Sequence, residues 1–420
     1  MSDTTASVRV TPQDFAPPAL IGRMRTRAAI VGVVGAVAVA IIALTSKDGV
    51  VLFLRSWLFS YMFWLGPTTG ALCLLCLQYA TGGNWGRLGR RIWEAAAGNL
   101  WLMVAFWLPI AFGIKRLYPW AQMSREQAVA ALGEEKVRFY LNATGFWVRG
   151  LVIFAIWMLI LWVLRRWADK EEAGQTTPQK FVRIQNLSGF GIVFYGAAIT
   201  FLSIDLTMSL DPKWWSTVWG MLFMVGQVLT TFCFTIWLLV KLSPIEPMSK
   251  IFKAEYLHDF GKLMFAFVVL WAYLSFSQWI IIWSGNLQSE ISWYLNRLNS
   301  GWQYFGTILI FAHFVFPFAL LLSRNTKRST GRVVKIALFV MFMRMVDLFW
   351  LTAPNFYQGY GKDAHGLAGF HLTDGLMYVL CPIAMGGIWL FFFYWQLGRR
   401  AIMPVNDPDF AGMMEAKQHG

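Results

Sequence analysis

The sequence predicts an all-α polytopic membrane protein with ten transmembrane helices and both termini cytoplasmic. Three observations predict this. Of 420 residues, 57% are hydrophobic and only 14% charged, whereas soluble domains carry about 25% charged residues. Ten runs meet or approach the roughly 20 apolar residues that a bilayer core requires. Finally, with the N-terminus inside, 24 Lys and Arg fall in inside segments and 9 in outside loops, in strict alternation. That is the distribution demanded by the positive-inside rule. The net charge of +14 therefore marks topology and contact with anionic lipid, not nucleic acid.

In order, the runs cover 28–44, 52–78, 92–113, 146–164, 189–210, 216–240, 263–284, 301–323, 333–352 and 375–397. Each is continuously apolar, whereas strands of a membrane barrel alternate over about ten residues. Met1–Met24 is polar and proline-bearing, so the first run reads as a retained helix and 1–27 as a cytoplasmic tail. Two connections are long enough to hold structure. Lys115–Gly145, outside, carries REQAVAALGEEKVRFYL, which reads as an amphipathic helix on the membrane surface or against a partner. Asp169–Ser188, inside and polar, reads as a loop. No hydrophilic domain is attached, so water-soluble chemistry must belong to other chains.

The four cysteines, Cys73, Cys76, Cys233 and Cys381, all lie in apolar runs and read as small buried hydrophobes. Cys73 and Cys76 have CxxC spacing, but no His follows as haem c attachment requires, and no second CxxC completes a metal set. A transmembrane haem b needs two axial His, and only His313 lies within a run. No phosphate-binding glycine motif is present. The chain is expected to bind no metal of its own.

Ionisable groups in a lipid span cost roughly 2.5–3.5 kcal/mol each on insertion scales, and tend to mark function or buried pairing. Apart from Lys335, at the inner edge of the ninth run and counted with the inside segments, they are Arg55, Glu94, Arg149, Asp205, His313, Arg344 and Asp347. Arg55 and Arg149 lie near outer ends, where a long side chain snorkels to water or takes an interfacial partner. Glu94 falls one turn inside the third run, where a helix N-terminal dipole would stabilise it. Asp205 reads either as an ion pair with Arg55 or Arg149, or as a proton-exchanging acid. Arg344 and Asp347, three apart, share a helix face and can pair. With His313 on the neighbouring run they form either a proton relay or a structural network.

The stretch DLTMSLDPKWWSTVWG (Asp205–Gly220) resembles the D-x-x-M-S-L-[DE]-P-x-W-x-S-T segment of the large membrane subunits of bacterial alternative complex III. These are NrfD/polysulfide-reductase-C-like proteins of a quinol:electron-acceptor oxidoreductase. His258–Arg297 and Trp57–Gly86 are similar too, so the resemblance covers most of 50–400. The length and VDLFWLTAP (Val346–Pro354) resemble the shorter of the two such subunits.

The resemblance implies two four-helix bundles flanked by two peripheral helices. It divides the chain into 1–27 (tail), 28–50 (first peripheral helix and loop), 51–212 (first bundle, with a periplasmic loop at 114–145) and 213–354 (second bundle). A periplasmic loop and tenth helix (355–400) and a cytoplasmic tail (401–420) follow. It also implies a bacterial inner-membrane location. The expected partners are a longer sister membrane subunit (ActC), an iron–sulfur subunit, haem c subunits, small membrane-anchored subunits and lipids. Iron–sulfur clusters and haem c belong to those partners. This chain is expected to bind no cofactor, with room left for a quinone.

The sister is the subunit expected to oxidise quinol, through a bundle histidine with acidic partners. The first bundle here has no histidine. What transfers is a proton path with candidates Asp205, His313, Arg344, Asp347 and Glu94, and charge partners Arg55 and Arg149. The alternatives are direct quinol oxidation by this chain and, more remotely, a stand-alone secondary transporter. Transporters break helices at matched places, and Pro67 and Pro382 are not matched.

Overall fold

The computed structural model describes residues 12–175, 178–298, 301–357 and 366–405. The expected ends of the tails, 1–11 and 406–420, lie outside the described residues. Among those described, all regular structure is helical. Among the described residues nine helices are long and apolar enough to cross a membrane, and a tenth span arises if one bent pair is counted as one.

The helices are α1 (Ala19–Thr45), α2 (Gly49–Thr81), α3 (Asn84–Ala97) and α4 (Leu100–Phe112). Two short ones follow, α5 (Arg125–Leu132) and α6 (Glu134–Phe139). Then come α7 (Ala143–Glu172), α8 (Pro178–Leu206), α9 (Trp219–Leu242), α10 (Ala254–Gly285) and α11 (Gln288–Leu298). The last three are α12 (Gln303–Leu322), α13 (Thr330–Thr352) and α14 (Leu372–Leu397).

Packing closes two rings. In the first, α2 meets α3 and α4, α4 meets α7, α7 meets α8, and α8 returns to α2. In the second, α9 meets α10, α10 meets α12, α12 meets α13, and α13 returns to α9. The rings join where α9 lies against α2 and α8. Accordingly, 89% of the most apolar stretch of α2 and 83% of that of α9 is buried, against 22–39% for the outer helices α1, α7, α8, α10 and α12. Apolar faces give little drive for association within lipid, so helix pairs there depend on close packing and hydrogen bonds. At this joint Gln227 Oε1 accepts from Thr69 Oγ1 at 2.9 Å and from Tyr195 Oη at 2.8 Å.

The first and last spans lie side by side. They pack on each other, and α14 also leans on α2 and α3. Glycines permit this. A Cβ on Gly387 would fall 2.3 Å from the Gly32 nitrogen, and one on Gly35 would fall 2.9 Å from the Ala384 Cα. Small residues at such spacing let two helix backbones touch.

Several expectations need correction. The first span begins at Ala19, nine residues earlier than the apolar run, and takes in Arg23, Arg25 and Arg27. The run expected as the third span is two helices, α3 and α4, bent by 40° at Gly98–Asn99. REQAVAALGEEKVRFYL is not one amphipathic helix: Gly133, at φ 89°, divides it into α5 and α6. The 169–188 segment is largely helical, because α7 runs on to Glu172 and α8 starts at Pro178. Polar residues there extend the helices past the apolar runs.

Candidate functional site: buried charges and the second-ring cavity

Arg149, on α7, reaches Asp205, on α8, through both carboxylate oxygens: Nε to Oδ2 and Nη2 to Oδ1, each 2.8 Å. Its guanidinium also donates to the Tyr140 carbonyl at 3.0 Å and lies 4.0 Å from the Tyr140 ring centroid. Asp205 is thus neutralised in a planar two-bond geometry that suits Arg and carboxylate. Arg55, the other proposed partner, is elsewhere. It lies 5.2 Å from the ring centroid of Phe356 and 5.7 Å from that of Tyr357.

Glu94 does not sit at a helix N-terminus. Its helix starts ten residues earlier, at Asn84, so a dipole cannot account for it. Ion pairs do. Its carboxylate accepts from Arg90 at 3.1 Å and Arg91 at 2.5 Å. Those arginines, counted from sequence as loop charges, are 2% and 3% exposed and continue to Glu171 and Glu172 at the end of α7. Buried charges persist when paired and hydrogen-bonded on most sides, and this network meets that condition.

The second ring differs. Arg344 and Asp347 pair as expected, one turn apart on α13. Asp347 Oδ2 also accepts from Trp271 Nε1 at 3.0 Å, tying α13 to α10. Room for the guanidinium comes from Gly226, where a Cβ would fall 2.2 Å from Arg344 Cζ. His313 is fully buried, edge-on to Trp271 with ring centroids 4.2 Å apart. Neither of its ring nitrogens has a hydrogen-bond partner among the described residues. It lies in a π-helical stretch, Leu309–Val315, inside α12. An i→i+5 turn of this kind inserts a residue, re-aims the side chains around it, and is frequent at functional sites.

Beside these residues is a cavity of about 570 Å³. Its wall includes Asp347, Trp271, Gln303, Tyr294, Arg297 and Trp350. Most of the lining is apolar, with few polar groups, as in ligand sites of roughly 300–1,000 Å³. Gln303 Oε1 and Trp350 Nε1 are buried there without partners among the described residues. His313 stands behind Trp271, one ring away from the wall.

Sequence reasoning missed Arg297, which it counted as an outside-loop charge. It is fully buried. It donates to the carbonyls of Trp350 at 3.2 Å, Leu351 at 3.0 Å and Trp293 at 3.1 Å, and to Asn355 Oδ1 at 3.1 Å. It also lies 3.4 Å from the Trp293 ring centroid. Trp350 and Leu351 lie in the last turn of α13, so the arginine, together with Asn355 Nδ2, satisfies carbonyls at a helix C-terminus. Burial pushes its guanidinium well below the usual range, opposed by the nearby Asp211 carboxylate. The available signal was local: an Arg four residues after a Trp, on a helix rich in aromatics.

The cysteines are free and three of them are buried. Among the described residues no cluster of His, Cys, Asp and Glu is arranged to hold a metal. No family model matches the chain, and no curated protein is significantly similar to it.

Proposed function

We propose that the chain is an integral membrane subunit of a bacterial quinol:electron-acceptor oxidoreductase, of the shorter, ActF-like kind. It scaffolds the complex and carries protons through its second ring. In this reading both termini face the cytoplasm of an inner membrane. A sister NrfD-like subunit, iron–sulfur and haem c subunits and small anchored subunits supply the redox chemistry. The sequence resemblance over 50–400 and the alternating basic residues support the assignment.

What carries the proton role is the arrangement at Asp347. Its only charge partner among the described residues is on its own helix, and it borders a cavity with an unpartnered histidine one ring away. A rotation of the Arg344 side chain would free the carboxylate to exchange a proton with water in that cavity. Asp205 and Glu94, held in bidentate or multiple ion pairs, read as structural.

The test is to replace Asp347 by Asn, and separately His313 by Leu, in the intact complex, and to measure quinol turnover and proton release in liposomes. Loss of proton release is expected. Turnover and release both at wild-type levels would remove the proton role and leave a scaffold.

One observation favours direct quinol binding as a second reading. The same cavity is aromatic-lined and presents Gln303 Oε1 and Trp350 Nε1 unpartnered, groups suited to the oxygens of a ring ligand. Photolabelling of Trp350 or its neighbours by an azidoquinone would support that reading.

A further inference from the structure

A second cavity, of 390 Å³, opens where the ends of α7 and α14 meet the bend between α3 and α4. Its wall carries Arg91, Arg165, Arg399 and Arg400, against a single carboxylate, Glu94. Two of the four arginines are already neutralised. Arg91 pairs with Glu94 and Glu172, and Arg400 with Asp169. The other two are not. Arg165 Nη2 donates to the Glu94 carbonyl at 3.1 Å and to the side-chain oxygen of Gln396, both neutral acceptors. Arg399 lies over the Trp395 ring at 4.7 Å. Neither makes an ion pair among the described residues.

Space for Arg165 is made by a glycine at the bend itself. A Cβ on Gly98 would fall 1.8 Å from Arg165 Nη2 and 1.7 Å from Gln396 Oε1. Only the missing side chain at the bend lets the guanidinium pass. Gln396 is held in turn by Asn99, whose side-chain oxygen accepts from Gln396 Nε2 at 2.7 Å. Arg165 is therefore oriented by a polar scaffold rather than left to snorkel.

The mouth is aromatic. Trp101 and Trp395 are 45% and 38% exposed, and Trp101 meets Phe392 edge-on at 4.8 Å. Exposed Trp of this kind marks the level of lipid headgroups. A basic pocket between spans, floored by arginines and rimmed by tryptophans, has the chemistry that binds an anionic phospholipid headgroup.

The geometry points to a phosphate-bearing anion bound between Arg165 and Arg399. The site is independent of the quinol reading and of the second-ring cavity. Planar guanidinium groups match phosphate oxygens two at a time. The occupant is either the headgroup of an anionic phospholipid, with its chains along Trp101 and Phe392, or free phosphate.

The test is calorimetric titration of the delipidated full-length chain in detergent with dioctanoyl phosphatidylglycerol, dioctanoyl phosphatidylcholine and inorganic phosphate. Phosphatidylglycerol is expected to bind at least about tenfold more tightly than phosphatidylcholine. Arg399→Gln, at an exposed position, should weaken it by about tenfold, and adding Arg165→Gln should abolish it. Arg332→Gln, exposed on another helix, should change nothing. If inorganic phosphate binds with the same sensitivity to Arg399→Gln, the site takes the anion itself. If only phosphatidylglycerol binds, the lipid is the occupant. Equal affinity for the two lipids, or indifference to Arg399→Gln in a variant that melts like the wild type, would overturn the site.

Discussion

Arg149 and Asp205 meet through two hydrogen bonds of 2.8 Å that join α7 to α8. The side chain of Asp205 is 4% exposed and that of Arg149 is 19% exposed. Such a pair does not need to add much net stability to be essential once present, because removing one member leaves the other charge buried alone.

Asp205→Ala is therefore expected to destabilise the protein by about 3–5 kcal/mol, the usual cost of breaking a buried pair. Asp205→Leu combined with Arg149→Met should recover most of that loss. Thermal unfolding in detergent measures both. A single variant that melts normally but stops proton release would instead make Asp205 a carrier.

Arg344 and Asp347 allow the complementary comparison. Asp347→Leu alone strands a buried guanidinium and should lower the melting temperature, whereas Arg344→Met with Asp347→Leu should restore it. Proton release should stay lost in the double variant. Stability and transport then separate, which a purely structural pair would not allow. Recovery of both together would sink the proposed role.

The contact between α1 and α14 predicts a steric effect. Gly387→Val places side-chain atoms against the Gly32 backbone, whose nitrogen already lies 2.3 Å from a built Cβ. Overpacking of this sort costs about 1–3 kcal/mol. Cross-linking between cysteines introduced at exposed ends of the two helices should fall, with the two rings unchanged.

Asp211 supplies a pH dependence. Burial pushes its carboxyl above the usual range, against the pull of Arg297 and of the Lys213 and Trp214 amides. A raised folded pKa means that the folded chain holds this proton more tightly than the unfolded one. Its contribution is complete below about pH 4, the unfolded value, and is lost as pH rises through the folded pKa. The melting temperature of Asp211→Asn, minus that of the wild type, should therefore climb with pH above about 4 and then level off. A flat or falling difference would contradict the assignment.

Much of the fold was legible because hydrocarbon imposes length and continuity on each span, and ten apolar runs have few other readings. The pairing of Arg344 with Asp347 was legible for a similar reason, since three residues along a helix return to the same face. Partners across helices were not. Whether Asp205 would meet Arg55 or Arg149 depends on which helices pack and how they rotate, and spacing in sequence is silent on both. Arg90, Arg91 and Arg297 were misread because a basic residue beside an apolar run looks like a topology marker whether it ends in water or folds back under a helix. The bend falls on Gly98–Asn99, two poor helix formers. The π-helical turn around His313 runs up towards Pro317, which has no N–H for the turn before it. Glycine and proline are common inside membrane helices, so neither signal fixes a break by itself.

The glycine contact between α1 and α14 also bears on how the chain is assembled. Along the chain α1 precedes its principal partner α14, and the helices of both rings lie between them. During synthesis the glycine stripe of α1 therefore stays without this partner until both rings have been made. The seam can zip shut only once α14 has been made.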